Sequence, residues 1–122
     1  MIEIYDKKGF TCLHRLTGVT LRGACLRDLD LAEANFIEMD LAGADFQNSR
    51  LCHADFRLAT LRQCNFRNTD LRQCDLRGAD ITGAVFDGAN LAQALLPDTM
   101  TPEQLAHARF EIIEPPSQPP SP

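Results

Sequence analysis

Large apolar residues recur at every fifth position of this chain without a break. They run from Leu16 through Leu21, Leu26, Leu31, Phe36, Leu41, Phe46, Leu51, Phe56, Leu61, Phe66, Leu71, Leu76, Ile81, Phe86 and Leu91 to Leu96, seventeen centres in all. A period of five fits neither ordinary element. On an α-helix each centre would advance roughly 140° around the axis, so the set would scatter over the whole cylinder. On a strand, consecutive centres would fall on opposite faces. All of them reach one interior if the chain turns a corner every five residues and keeps coiling, with backbone hydrogen bonds between successive coils.

The other positions of the pentad are also patterned. Two residues before most centres the side chain is small, as at Ala34, Ala44, Ala54, Cys64, Cys74 and Ala89, and the residue between is often Asp or Asn. Blocks such as Ala34-Asn35-Phe36, Ala44-Asp45-Phe46, Ala54-Asp55-Phe56, Ala79-Asp80-Ile81 and Ala89-Asn90-Leu91 resemble the A(D/N)LxX signature of pentapeptide-repeat proteins. The resemblance covers residues 14–98. It implies an all-β fold, a right-handed quadrilateral parallel β-helix (solenoid) of about four coils, with the centre and the small residue pointing inward.

With four pentads per coil, residues twenty apart stack. Leu16, Phe36, Phe56, Leu76 and Leu96 then share one wall, and Leu26, Phe46, Phe66 and Phe86 share the opposite one, so every phenylalanine of the repeats lies on two facing walls. At about 4.8 Å per coil the rod is roughly 20 Å tall. The Asp and Asn before each centre are expected to point to solvent. The glycines of the repeats take the last position of their pentads and serve corners.

The ends depart from the pattern. In residues 1–13, Ile2 and Ile4, then Phe10 and Cys12, flank the turn-like Asp6-Lys7-Lys8-Gly9, which predicts a capping strand or hairpin. His14, in an imperfect first pentad, is assigned to that cap. In residues 99–113, Thr101-Pro102-Glu103-Gln104 carries a threonine N-cap, proline at the first helical position and Gln three residues after the cap, which predicts a short capping helix. The apolar segment Phe110 to Ile113 follows, and residues 114–122 are a proline-rich tail expected to be disordered.

Composition limits the function. Nothing resembles a catalytic constellation, a phosphate-binding loop or a membrane span, so the chain is expected to be neither an enzyme nor a membrane protein. Five cysteines are an odd number without framework spacing, which fits a reducing, cytoplasmic setting. Cys52 and His53 are expected to point outward near a corner, with no second pair to complete a metal site, and no cofactor is implied. Charge is uneven: six acids and no base lie between Asp28 and Ser49, whereas Arg50 to Arg77 holds six arginines against three aspartates. Arg57, Arg62, Arg67 and Arg72 fall on four successive walls and Arg77 stacks above Arg57, giving a belt that could dock an acidic partner. Asp55/Arg57, Asp70/Arg72 and Asp75/Arg77 are expected as exposed ion pairs of small energetic weight.

The resulting expectation is a non-catalytic interaction or scaffold module with a protein partner and no direct nucleic-acid contact. The alternative is a DNA-mimicking protein that binds DNA gyrase or another DNA-binding protein, suggested by the net charge of -5 and the rod shape. A homodimer joined at the C-terminal end through Leu105, Phe110, Ile112 and Ile113 is a further expectation.

Overall fold

A computed structural model of the protein describes residues 1–112. Ile113 and the proline-rich residues 114–122 lie outside the described residues. The unit of construction is the corner. From Gly18 to Gln93 every fifth residue has a positive φ, and ten of these are not glycine. Across most corners the amide of the residue two before the next centre donates to the carbonyl of the preceding centre, as from Ala59 to Phe56 at 3.0 Å. With a φ of 60° at Leu58, the third residue of that turn, this is type II geometry.

Where the residue before a centre is Asp or Asn, it fastens the corner that follows. Asp55 Oδ1 accepts the Arg57 amide at 3.1 Å, Asn35 Oδ1 that of Ile37 at 3.1 Å, and Asp80 Oδ1 that of Thr82 at 3.1 Å. These Asx turns explain why Asp and Asn recur there. They also correct the expectation that these side chains simply face solvent: Asp55 and Asn90 are buried. A carboxylate bound to its own backbone is drawn in against the wall.

Successive coils pair in parallel at a spacing of twenty residues, through bridges such as Asn35 to Asp55, Asp55 to Asp75 and Asp75 to Leu95. The rungs are closed by bonds such as Phe36 N to Asp55 O at 2.8 Å and Asp55 N to Ala34 O at 2.9 Å. Four walls result, named here for the centres Phe56, Leu61, Phe66 and Leu71. Inside, the phenylalanines form the two facing columns that the twenty-residue register predicts. Phe36 stacks on Phe56 at 5.0 Å, and Phe46, Phe66 and Phe86 stack at 5.1 Å. The columns meet edge to face at 5.8 to 6.0 Å, so every ring except Phe86, which is only stacked, is held both vertically and across the axis.

The small inward positions tolerate polarity only where it is satisfied. Ser49 and Thr69 donate to the carbonyls of Leu26 and Phe46, and the Cys64 thiol reaches the Leu41 carbonyl at 3.0 Å. Burial pushes the Cys64 thiol up to about 12 and raises Cys74 as well, so both remain compact protonated side chains.

At the lower end, β1 (Ile2–Tyr5) and β2 (Cys12–Leu16) form an antiparallel hairpin. It alters the predicted stacking. Leu16 does not sit directly below Phe36, because β1 lies between them: the Asn35 amide donates to Tyr5 O at 2.9 Å, where the ladder would otherwise use a residue one coil earlier. Fully buried Ile4 plugs the opening. Residues 14–16 therefore belong to the hairpin and not to the first coil. An open coil end is an unsatisfied sheet edge, and doubling the strand there covers it.

At the upper end, α1 (Pro102–Ala106) begins with the predicted capping box between Thr101 and Gln104. Gln104 also has a second role. Its Nε2 donates to the carbonyls of Ile81 at 2.8 Å and Ala84 at 3.1 Å, taking the place of a further coil. The chain then returns to the Leu71 wall, where Arg109 adds a last rung beside Asn90. Replacing Gln104 by Glu keeps the acceptor for the cap but sets an anion against two carbonyl oxygens. We expect a loss of roughly 1 to 3 kcal/mol in urea unfolding at neutral pH. A midpoint equal to that of the parent would show that this contact does not close the rod.

Candidate functional site

The fivefold register places the arginines as the sequence suggests. Arg57 and Arg77 lie one above the other on the Phe56 wall, Arg62 on the Leu61 wall, Arg67 on the Phe66 wall and Arg72 on the Leu71 wall. They do not converge, and most are anchored locally. Arg57 binds Asp55 at 2.8 Å, Arg72 binds Asp70 at 2.7 Å and Arg77 binds Asp75 at 2.7 Å, the three pairs expected. Arg62 reaches Asp80 at 3.2 Å. Arg67 has no carboxylate at ion-pair distance among the described residues.

The acidic stretch is less of a band than the linear sequence suggests. Arg22 lies 3.7 Å from Asp40, Arg27 3.4 Å from Asp45 and Arg50 3.2 Å from Asp30. Stacking at twenty residues interleaves the two charge blocks, and of the six acids Asp28, Glu33 and Glu38 remain at left-handed corners. Several of the paired carboxylates titrate low. The Arg77 side chain holds Asp75 below the usual carboxylate range. Burial alone would raise Asp70, but hydrogen bonds from the side chain and amide of Arg72 outweigh it, and the net shift is downward. The Thr82 hydroxyl and amide, with Arg62, hold Asp80 down.

One residue that sequence reasoning passed over stands out on the Phe56 wall. Leu58 is 60% exposed with a φ of 60°, so it is unfavourable both in solvation and in backbone conformation. Its side chain lies over Gly78, where an added Cβ would come within 2.6 Å of Leu58 Cδ2. Ile37 and Glu38 lie one rung below. Together with Arg57 and Arg77 they line a shallow open depression of about 500 Å³. Leu95 is exposed at the top of the same wall and Tyr5 at the bottom. The signal was present in the sequence: Leu58 is the one apolar residue at corner positions that elsewhere hold Gly, Asp, Glu, Asn, Gln or His.

Cys52 corrects an expectation. It takes an outward register position but is buried, flanked by Arg50 and Arg72 on the Leu71 wall. Burial raises its thiol against the opposing effect of Arg50. His53 is exposed at the corner. Among the described residues no three His, Cys, Asp or Glu side chains are grouped to hold a metal ion. Among them, too, no helix is long and apolar enough to cross a membrane. Of the expected dimer residues, Leu105 is half-buried against the core, whereas Phe110 is 52% and Ile112 60% exposed. Ile113 lies outside the described residues.

The sequence pattern of pentapeptide repeats matches in 8 copies that together run over residues 15–98. Among solved structures, the chain is similar to a pentapeptide repeat protein from the thylakoid lumen of Arabidopsis thaliana, at 27% identity and a TM-score of 0.64, over 67% of this chain and 57% of that one. It is also similar to HetL of Nostoc sp. strain PCC 7120, a pentapeptide repeat protein involved in heterocyst differentiation regulation, at 25% identity and a TM-score of 0.39, over 70% and 50% of the two chains. QnrB1, a plasmid-mediated fluoroquinolone resistance protein, matches at 25% identity and a TM-score of 0.30, over 62% and 46%. The chain thus spans about half the length of these proteins. No curated protein matches it in sequence.

Carboxylates held low in the folded state stabilise it above the unfolded carboxylate range and lose that contribution as pH falls through their folded values. With Asp70, Asp75 and Asp80 all shifted down, thermal stability should be flat between about pH 5 and about pH 8 and fall below about pH 4. Melting temperatures that match at pH 6 and pH 3 would contradict these pairings.

Proposed function

The chain belongs to the pentapeptide-repeat family, and from that premise we propose that it is a non-catalytic interaction or scaffold module. On this reading a right-handed rod of about four coils presents flat, rigid faces to a protein partner. Proteins of this family are as a rule structural or interaction modules. The observation that carries the reading is the Phe56 wall. There an exposed leucine is kept at a conformationally unfavourable corner in a wall whose rungs at Asn35, Asp55 and Asp75 are bonded above and below. Leu58 does not stand alone there: with Ile37 it lines one depression framed by Arg57 and Arg77, and an apolar patch rimmed by polar groups is the kind of surface that meets a partner. The reading includes a cytoplasmic location, suggested by five unpaired cysteines, and needs no cofactor. With the folded chain immobilised, a protein should be retained in stoichiometric amount and lost when the bait is heat-unfolded. A folded bait that retains nothing above background ends the proposal.

The DNA-mimic reading has two observations in its favour, the net charge of -5 and the rod itself. Arginines on all four walls weigh against it, because a duplex mimic needs an uninterrupted row of acids. Gyrase supercoiling should be unchanged by the protein at micromolar concentration, and inhibition or protection there would restore the alternative.

Phe110 and Ile112 also fit a two-fold contact at the C-terminal end. Light scattering should give a dimer for the parent and a folded monomer for Phe110→Glu, Ile112→Lys. A parent that is monomeric at high micromolar concentration removes this interface.

A further inference from the structure

Charge on the Phe56 wall is layered. The side chains of Asp55 and Asp75 are only 11% and 19% exposed, whereas those of Arg57 and Arg77 above them are 47% and 61% exposed. The acids lie against the backbone and the guanidiniums form the outer surface. Each guanidinium uses Nε and Nη2 on its aspartate. The Nη1 hydrogens of both are left without a partner among the described residues, and both arginines line the depression together with Leu58. The Leu61 wall differs, since Arg62 and Asp80 are exposed to similar extents, 56% and 43%.

Spacing then selects the shape of the partner. Arg57 and Arg77 are one rung apart, about 4.8 Å. Residues three or four apart on a helix lie about 5 to 6 Å from one another, close to that rung. Same-face residues of a strand are about 6.7 Å apart, a poorer match. Beside Arg57, Leu58 and, one rung below, Ile37 offer an apolar floor, half-buried at Ile37 and open at Leu58, with the single acid Glu38 at its lower edge. Arginine is among the residues enriched at interface centres, and two exposed guanidiniums stand at the edge of this floor.

We propose that this face docks an acidic amphipathic helix of a partner protein. Two carboxylates three or four residues apart meet the Nη1 edges of Arg57 and Arg77, and an apolar side chain of the same helix face covers Leu58. The inference rests on the module reading above and adds the face and the partner's chemistry.

The probe is a fluorescently labelled helical peptide with glutamates four residues apart and leucines on the same face, read by anisotropy. Saturable binding is expected. It should weaken at least tenfold when the glutamates become lysines, or when a central proline breaks the helix. The double variant Arg57→Gln, Arg77→Gln should weaken it similarly, and Arg67→Gln on the Phe66 wall should not. If the double variant melts early, Leu58→Asn serves instead, since asparagine already occupies this corner at Asn48 and Asn68. Equal binding of the lysine or proline peptide overturns the proposal. So does equally strong competition by a DNA duplex or by anionic vesicles, or self-association of the chain that Leu58→Asn abolishes. A partner retained by the folded chain while the peptide fails to bind sinks the helix and leaves the module reading standing. A chain that retains no partner sinks the module reading itself.

Discussion

The left-handed residue at every fifth position is the constraint on which this molecule depends. A non-glycine residue in that region costs about 1 kcal/mol, and ten of the corners hold one. No single corner would persist on local preference alone. Nine are held by an Asx acceptor before the centre or by the turn bond across the corner, the one at Asp28 by the Ser49 hydroxyl that accepts the Leu29 amide, and rungs tie them to neighbouring coils. The cost is therefore offset collectively, coil by coil, as in other solenoids. The inward centres supply the apolar burial that makes the arrangement favourable, and the phenylalanine columns give the interior a fixed geometry.

This construction separates the inside from the surface. Inward positions are limited to large centres and small spacers, and a polar side chain enters only with a carbonyl to bind, as Ser49, Thr69 and Cys64 do. Outward positions carry no such limit, so their composition is free to differ from wall to wall. That freedom lets the Phe56 wall keep an exposed leucine in the same depression as two arginines. Because Asp55 and Asp75 are also committed to capping their own corners, the negative charge stays low on the wall and the arginines stand above it. Structural and surface roles are thereby combined in one pair of residues per pentad.

The ends follow different physics, because a repeat has no means of stopping itself. Below, a hairpin replaces a coil with two antiparallel strands and drives Ile4 into the opening. Above, a single turn of helix uses one glutamine to satisfy both its own N-terminus and two open carbonyls of the rod. Neither end continues the pentad, yet both end the ladder by supplying the hydrogen bonds that the next coil would have made.

Much of this was legible from residues alone. The period of five identified the inward set, and stacking at twenty residues, taken from the family resemblance, placed the phenylalanines in two columns. The Thr101 to Gln104 pattern located the capping helix, and the aspartate two residues before each of Arg57, Arg72 and Arg77 anticipated those ion pairs. All of these depend on geometry repeated within a few residues, so each pentad or turn states it independently. Only the tertiary structure decided that β1 lies beneath Phe36 in place of Leu16, that Cys52 is covered, and that Gln104 reaches Ile81 and Ala84. It alone showed that Asp55 and Asp75 are sunk beneath their arginines while Leu58 is left open. Those outcomes depend on which distant backbone group lacks a partner and on how side chains one coil apart share a wall, and neither is encoded in any single repeat.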